Sequence, residues 1–334
     1  MILHIKKLFI DLYFKTKYYN FLYAFWDFLW WICFYTRPPF AYKISSLAIN
    51  KKTKWLDKYI ERNYADIIQR ISNKCNINLL NNQKFKSNIW VFWGQGKAAM
   101  PPLIRACYDQ LLKNNKDAIL VTSTNVEDYI QLPEIIYRKV RDGRITWAHF
   151  SDIIRTTLLA KYGGLWLDAT CWVSKEIPFE KFGKMPFYSA NGLVSINSRS
   201  IRFWTSFKWN WSSWCMFSNA PNYNLFCFVS EMLQNIAMRE CYWPDYVIQD
   251  YLIYYACRHF PQIGQDMESC KKYECKYRNQ LASLMNQPYD TDVYNQLTEF
   301  DFVFKLSFRS RWKSKTKDGR QTFYGKLLST IYNY

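Results

Sequence analysis

Histidine is nearly missing from this sequence. The three present, His4, His149 and His259, lie far apart in a chain of 334 residues. That excludes a HExxH helix and any His-rich metal cage. The ten glycines form neither a GxxxxGK[ST] loop nor a GxGxxG turn, so neither phosphate-binding fingerprint is present. The ten cysteines contain no CxxC pair, and Cys270 and Cys275 lack a second pair or a neighbouring histidine at zinc spacing. With no secretory signal, they read as reduced, mostly buried thiols of a cytosolic protein. Acidic side chains are the minority, 27 against 45 basic ones, for a net charge of +18. Such an excess implies anionic partners: membrane lipid, nucleotide phosphates or nucleic acid. No RNP strand or helix-turn-helix signature accompanies it, so nucleic acid rests on charge alone and is not the expected partner.

Aromatic residues are plentiful, 19% of the chain with 15 Trp. They serve protein cores as readily as sugar or base stacking, so the count alone does not choose. Residues 1–40 alternate Lys6, Lys7, Lys15 and Lys17 with large apolar side chains, then run into Phe21 to Tyr35. That stretch is fifteen residues long and contains Asp27, whereas a spanning helix needs about 20 apolar residues. Trp26, Trp30 and Trp31 with nearby lysines suit a helix at the headgroup level of an anionic membrane. A helix packed on the protein's own core or on a partner is the equal alternative. Arg37-Pro38-Pro39 breaks the segment off. Residues 41–88 read as a helical connector.

From residue 89 the pattern changes. Ile89 to Trp93 is a continuous apolar strand followed at once by Gly94-Gln95-Gly96. Pro101-Pro102 opens a helix. Ala118 to Thr122 is a second strand with Asn125 beyond it, and Ile145-Thr146 a short third. Trp147 to about Tyr162 then carries Phe150, Ile153, Ile154, Leu158 and Tyr162 at helical spacing. Gly163-Gly164 ends this helix, and Leu165-Trp166-Leu167 runs as a strand to Asp168. Alternation of this kind argues an α/β fold with a parallel sheet covered on both faces. A carboxylate at the carboxyl edge of such a sheet is where open α/β folds bind ligands. Ser151, Asp152 and Arg155 share one helix face, and the helix–turn–strand returns them towards Asp168. The three charged residues are expected to converge on one pocket; the bland alternative is a solvated Asp152–Arg155 pair and a turn-starting Asp168.

Beyond residue 173 the signals thin out. Phe187 to Ile196 reads as strand with Gly192 at a turn, and Leu225 to Ile236 as an amphipathic helix. Trp204, Trp209, Trp211 and Trp214 form a cluster that reads as core before sugar platform. Asp250 opens another helix, as a second-half carboxylate or as a charge favourable to the helix dipole. Lys305 to Lys326 carries eight basic residues against Asp318 alone. Its readings are diphosphate capture, attraction to anionic lipid, or a solvated loop.

The run SD-x-x-R, then L-x-x-x-GG-x-W-x-DAT, resembles the core of sugar transferases that make capsular polysaccharide, within the broader DxD-containing, glycosyltransferase family 32-like group. IWVFWGQG is similar to that family's opening strand, NVEDYIQLP to its second loop, and KLSFRSRWKSK with TFYGKLL to its tail. The resemblance implies a GT-A-like fold over 89–334: a nucleotide-sugar half (89–173), an acceptor half (174–300) and a basic tail (301–334). By the same resemblance Asp152 and Arg155 hold donor sugar hydroxyls, Asp168 meets the ribose or a metal, and Trp93 and Gly94 line the base pocket. Gly163 and Gly164 would let the chain pass close to the ligand, with Thr170 and Asp250 completing the substrate-binding set. The group's usual DxD pair holds Mn²⁺ or Mg²⁺ against the diphosphate. Here Thr170 stands at the second acid, so an ion at Asp168 would need phosphates, waters, Asp250 or His259; the alternative is a metal-independent site served by tail bases.

The expected protein is a cytoplasmic glycosyltransferase at the inner face of the cell membrane. It would move a sugar from a nucleotide-sugar donor to a growing surface or lipid-linked glycan, in capsule or O-antigen synthesis. The alternative is a membrane-peripheral scaffold that keeps the fold without the chemistry.

Overall fold

The computed structural model describes residues 2–36, 40–75, 87–191, 211–270 and 273–329. Arg37-Pro38-Pro39, Gly192, Trp204 and Trp209 lie outside them. Four helices come first: α1 (Ile2–Tyr18), α2 (Phe21–Thr36), α3 (Ala41–Asn63) and α4 (Ala65–Cys75). Then strands and helices alternate: β1 (Ile89–Phe92), α5 (Pro102–Asn114), β2 (Ala118–Val121), α6 (Val126–Tyr129), α7 (Glu134–Arg141), α8 (Trp147–Tyr162) and β3 (Gly164–Asp168). The second half holds β4 (Cys171–Val173), α9 (Phe179–Phe182), β5 (Phe187–Ser189), β6 (Cys215–Ser218), α10 (Asn224–Arg239), α11 (Ile248–His259) and α12 (Pro261–Cys270). It closes with α13 (Gln280–Leu284), α14 (Thr291–Phe300), β7 (Val303–Lys305) and α15 (Phe323–Ser329).

The central sheet has the order β2-β1-β3-β6-β5. β2, β1 and β3 run parallel, and β6 and β5 are antiparallel additions. This mixed α/β architecture, a sheet flanked by helices, agrees with the GT-A-like expectation. β1 is buried throughout and β3 along its first four residues, which is why both read as unbroken apolar runs rather than alternating ones. From β1 the chain crosses to β2 on one side and, by way of α8, to β3 on the other. The carboxyl ends of β1 and β3 therefore bracket a switch point, the crevice open sheets reserve for ligands. Phe92 pairs with Asp168 in register at that rim. β4 and β7 form a separate antiparallel pair, which sets Cys171 opposite Lys305.

One sequence expectation shifts, and one alternative for the N-terminal helices is seen. Ile145-Thr146 is not a strand: Thr146 is the N-cap of α8, and its hydroxyl accepts from the His149 backbone N–H. A capping side chain satisfies a free helix-end donor, and that outweighs the β preference of a two-residue apolar patch. The N-terminal helices also share the main core. Tyr23, Trp30 and Ile49 belong to the same buried cluster as β1, β3 and α8. Lys52 lies fully buried between Asp27 (2.8 Å) and Asp245 (2.7 Å), and Lys15 binds the other oxygen of Asp27. Burial acts against the charge on both partners, yet the mutual ion pairs hold the Asp27 pKa below and the Lys52 pKa above their ordinary values. Phe9, Ile10, Tyr13, Phe21, Leu22 and Phe25, by contrast, face outward. Among the described residues no helix is long and apolar enough to cross a membrane.

Candidate active site

A cleft of about 920 Å³ opens at the carboxyl rim of β1 and β3. Its floor is built by local sequence. Residues 166 and 168 lie on the same face of β3, because strand side chains alternate. The Trp166 indole Nε1 thus donates to Asp168 Oδ1 at 3.0 Å. Asp152 and Arg155 lie one turn apart on α8. Arg155 Nη1 donates to Asp152 Oδ1 at 2.8 Å and to Gln249 Oε1, on α11, at 2.8 Å. Its Nη2 donates to Asp168 Oδ1 at 3.0 Å, and the guanidinium stacks 5.0 Å from the Trp166 ring. Arg155 is 5% exposed, so this fork of bonds is what makes its burial tolerable.

A second cation comes from far along the chain. Lys305 Nζ donates to Asp168 Oδ2 at 2.6 Å and to Thr170 Oγ1 at 2.7 Å. Burial alone would raise the Asp168 pKa, but Lys305 and Arg155 hold its carboxyl well below the usual carboxylate range. Asp152 goes the other way. Burial pushes it up to about 7 against the pull of Arg155, with the charges of Asp250 and Asp168 adding to the rise. Asp250 accepts from Trp211 Nε1 at 2.6 Å; burial raises its pKa against that hydrogen bond.

The structure thus brings Asp152, Arg155 and Asp168 together, with Trp93, Gly94, Thr170 and Asp250 around the same cleft. Gly94 faces Trp147 so closely that a Cβ would meet its ring at 2.8 Å. Gly163 and Gly164 do not line the cleft. They sit at the amino end of β3, with φ of 67° and 91°, and a Cβ on Gly164 would collide with the Asn88 carbonyl. Their role is to turn α8 into β3, not to approach a ligand. His259 stacks on Tyr255 within α11 and is not part of the lining.

Sequence reasoning passed over Gln249, Trp166 and Lys305 as site residues. Lys305 was visible only as one base among eight, and nothing local marks it. Its strand β7 pairs with β4, and the segment after it, with Phe308 and Arg309, forms a wall of the cleft. Trp93 meets Phe308 edge-on, 5.6 Å between ring centres.

The donor set does not fit a divalent ion at Asp168. Mn²⁺ and Mg²⁺ take several oxygen ligands. Both oxygens of Asp168 already accept from cations, one from Arg155 and one from Lys305. Among the described residues no group of three His, Cys, Asp or Glu is placed to hold an ion.

What the fold and rim define is an α/β protein with a carboxylate clamped between two cations at a sheet switch point. Residues 39–327 match the family described as capsular polysaccharide synthesis protein, and the chain belongs to that family. Two curated proteins are similar over shorter stretches. The O-glycosyltransferase braB of Annulohypoxylon truncatum is 28% identical over 101 residues, 27% of this chain and 24% of that protein. The glycosyltransferase afumC of Aspergillus fumigatus is 27% identical over 149 residues, 35% of this chain and 38% of that protein. The chain therefore spans well under half the length of these relatives.

Proposed function

We propose that this protein is a glycosyltransferase that moves a sugar from a nucleotide-sugar donor to a surface or lipid-linked glycan, as in capsule or O-antigen synthesis. The observation that carries the reading is the Arg155 fork. One guanidinium bridges Asp152, Gln249 and Asp168 beside a cleft large enough for a sugar nucleotide. Three donors around it, Trp93 Nε1, Arg155 Nε and Gln249 Nε2, are buried without a hydrogen-bond partner among the described residues. Each such donor costs about 1–3 kcal/mol, which suits a site completed by an acceptor-rich ligand such as a sugar. The names of the relatives and the family support the same class.

In this reading Asp152 and Gln249 orient Arg155 and accept from sugar hydroxyls, while Trp93 and Phe308 offer ring faces for the base. Asp168 aims the two cations at the leaving phosphate. Asp168→Asn should lower transfer or slow donor hydrolysis by on the order of a hundredfold or more, with an unchanged circular dichroism spectrum. A screen of nucleotide sugars for hydrolysis reads this directly. Undiminished turnover in that variant overturns the role given to Asp168, and a parent protein that turns over no nucleotide sugar overturns the reading in favour of a scaffold that keeps the fold.

The outward apolar side chains of α1 and α2, beside the exposed Lys6, Lys7 and Lys17, support attachment to the anionic inner face of the membrane. Each basic residue near such a surface contributes about 1 kcal/mol.

A further inference from the structure

Glycosyl transfer breaks the bond between the anomeric carbon and a phosphate oxygen. Both electrons of that bond stay on the phosphate. The acceptor hydroxyl oxygen forms the new bond to the anomeric carbon, and its proton leaves with the phosphate. A cation must meet the charge that develops on the departing oxygen. In a two-acid site that cation is a metal held between the residues at positions 168 and 170. Here the gap between those two side chains is filled by the protein itself. Lys305 Nζ lies 2.6 Å from Asp168 Oδ2 and 2.7 Å from Thr170 Oγ1.

Each feature around it serves that placement. Thr170 supplies a neutral oxygen where a second carboxylate would draw in a divalent ion. Asp168 has no oxygen free of a cation. β7 sets Lys305 directly opposite Cys171 in the ladder, next in the chain after Thr170, one of the two residues it bridges. An ammonium has three N–H donors; two go to Asp168 and Thr170, and no hydrogen bond among the described residues takes the third. Lys305 is partly exposed and lines the cleft, as does the solvent-facing Arg309 four residues on.

We propose that Lys305 takes the place of the metal: its ammonium receives the leaving diphosphate, Asp168 and Thr170 act as positioning residues for it, and transfer proceeds without a divalent ion. This rests on the glycosyltransferase reading, and the experiment separates the two. The purified full chain is titrated calorimetrically with UDP, GDP and TDP and with their monophosphates, in EDTA and then in Mn²⁺. At least one diphosphate should bind in EDTA, with Mn²⁺ changing its Kd by less than about threefold. Lys305→Ala should weaken that diphosphate on the order of 30-fold, weaken the monophosphate far less, and gain a Mn²⁺ response as Asp168 Oδ2 is freed. Lys305→Arg should recover most of the diphosphate affinity, and thermal melts of both variants report that they fold. Diphosphate binding that EDTA abolishes and Mn²⁺ restores in the parent protein overturns the proposal but leaves the glycosyltransferase reading standing. Equal loss of mono- and diphosphate binding in Lys305→Ala also overturns it. Absence of binding by every nucleotide, with and without Mn²⁺, overturns both.

Discussion

At Asp152, burial and neighbouring charge pull in opposite directions, and burial prevails. Its carboxyl titrates near 7 in the folded protein against an ordinary value of 3.8. The folded state thus holds a proton that the unfolded chain releases, so stability falls as pH rises from about 4 to about 7 and is level beyond. Asp152→Asn has no such proton to lose. Thermal melts of both proteins across that range should show the variant gaining on the parent as pH rises, and parallel curves would refute the assignment. Asp152, Arg155 and Asp168 were legible in the sequence because helix and strand periods place them by local rules. Gln249 and Lys305 were not. Their partners lie 94 and 137 positions away, and no spacing rule reaches that far.

Among elements, α8 and β3 were legible because each has a clean period and a glycine turn between. β5 was legible as a strand from Phe187, but β6 and the antiparallel pairing that joins both strands to β3 were not, since that pairing depends on long-range registration. α2 shows why one apolar stretch supported two readings. It buries Tyr23, Trp30 and Trp31 inward and turns Phe21, Leu22 and Phe25 outward. The outward side is the half on which membrane attachment depends. Joint replacement Phe9→Asp and Leu22→Asp should weaken binding to phosphatidylserine vesicles by on the order of tenfold or more. Co-sedimentation measures this, and unchanged pelleting would show that the exposed side chains of α1 and α2 are not the lipid contact.

For the whole molecule, the α/β class followed from alternation alone, whereas for the N-terminal helices the sequence left membrane contact and core packing as equal readings, and the ion-pair network that joins them to the main core was not visible in it. A buried lysine between two aspartates leaves no trace in a one-dimensional pattern. Lys52 ties α2 and α3 to the segment that carries Tyr246, Gln249 and Asp250 to the cleft. Lys52→Met leaves Asp245 buried without its cation, and denaturant unfolding should show a loss of about 3–5 kcal/mol. A loss below one kcal/mol, roughly the worth of an exposed pair, would mean that the network is solvated. The wall contributed by β7 has a consequence for biosynthesis. Since Lys305 follows Asp168 by 137 residues, a nascent chain carries the acid over that whole stretch without the base that completes the clamp. On the proposal above, a chain cut short before residue 305 would lack the cation that meets the departing diphosphate, so shortened products should bind nucleoside diphosphates no better than Lys305→Ala.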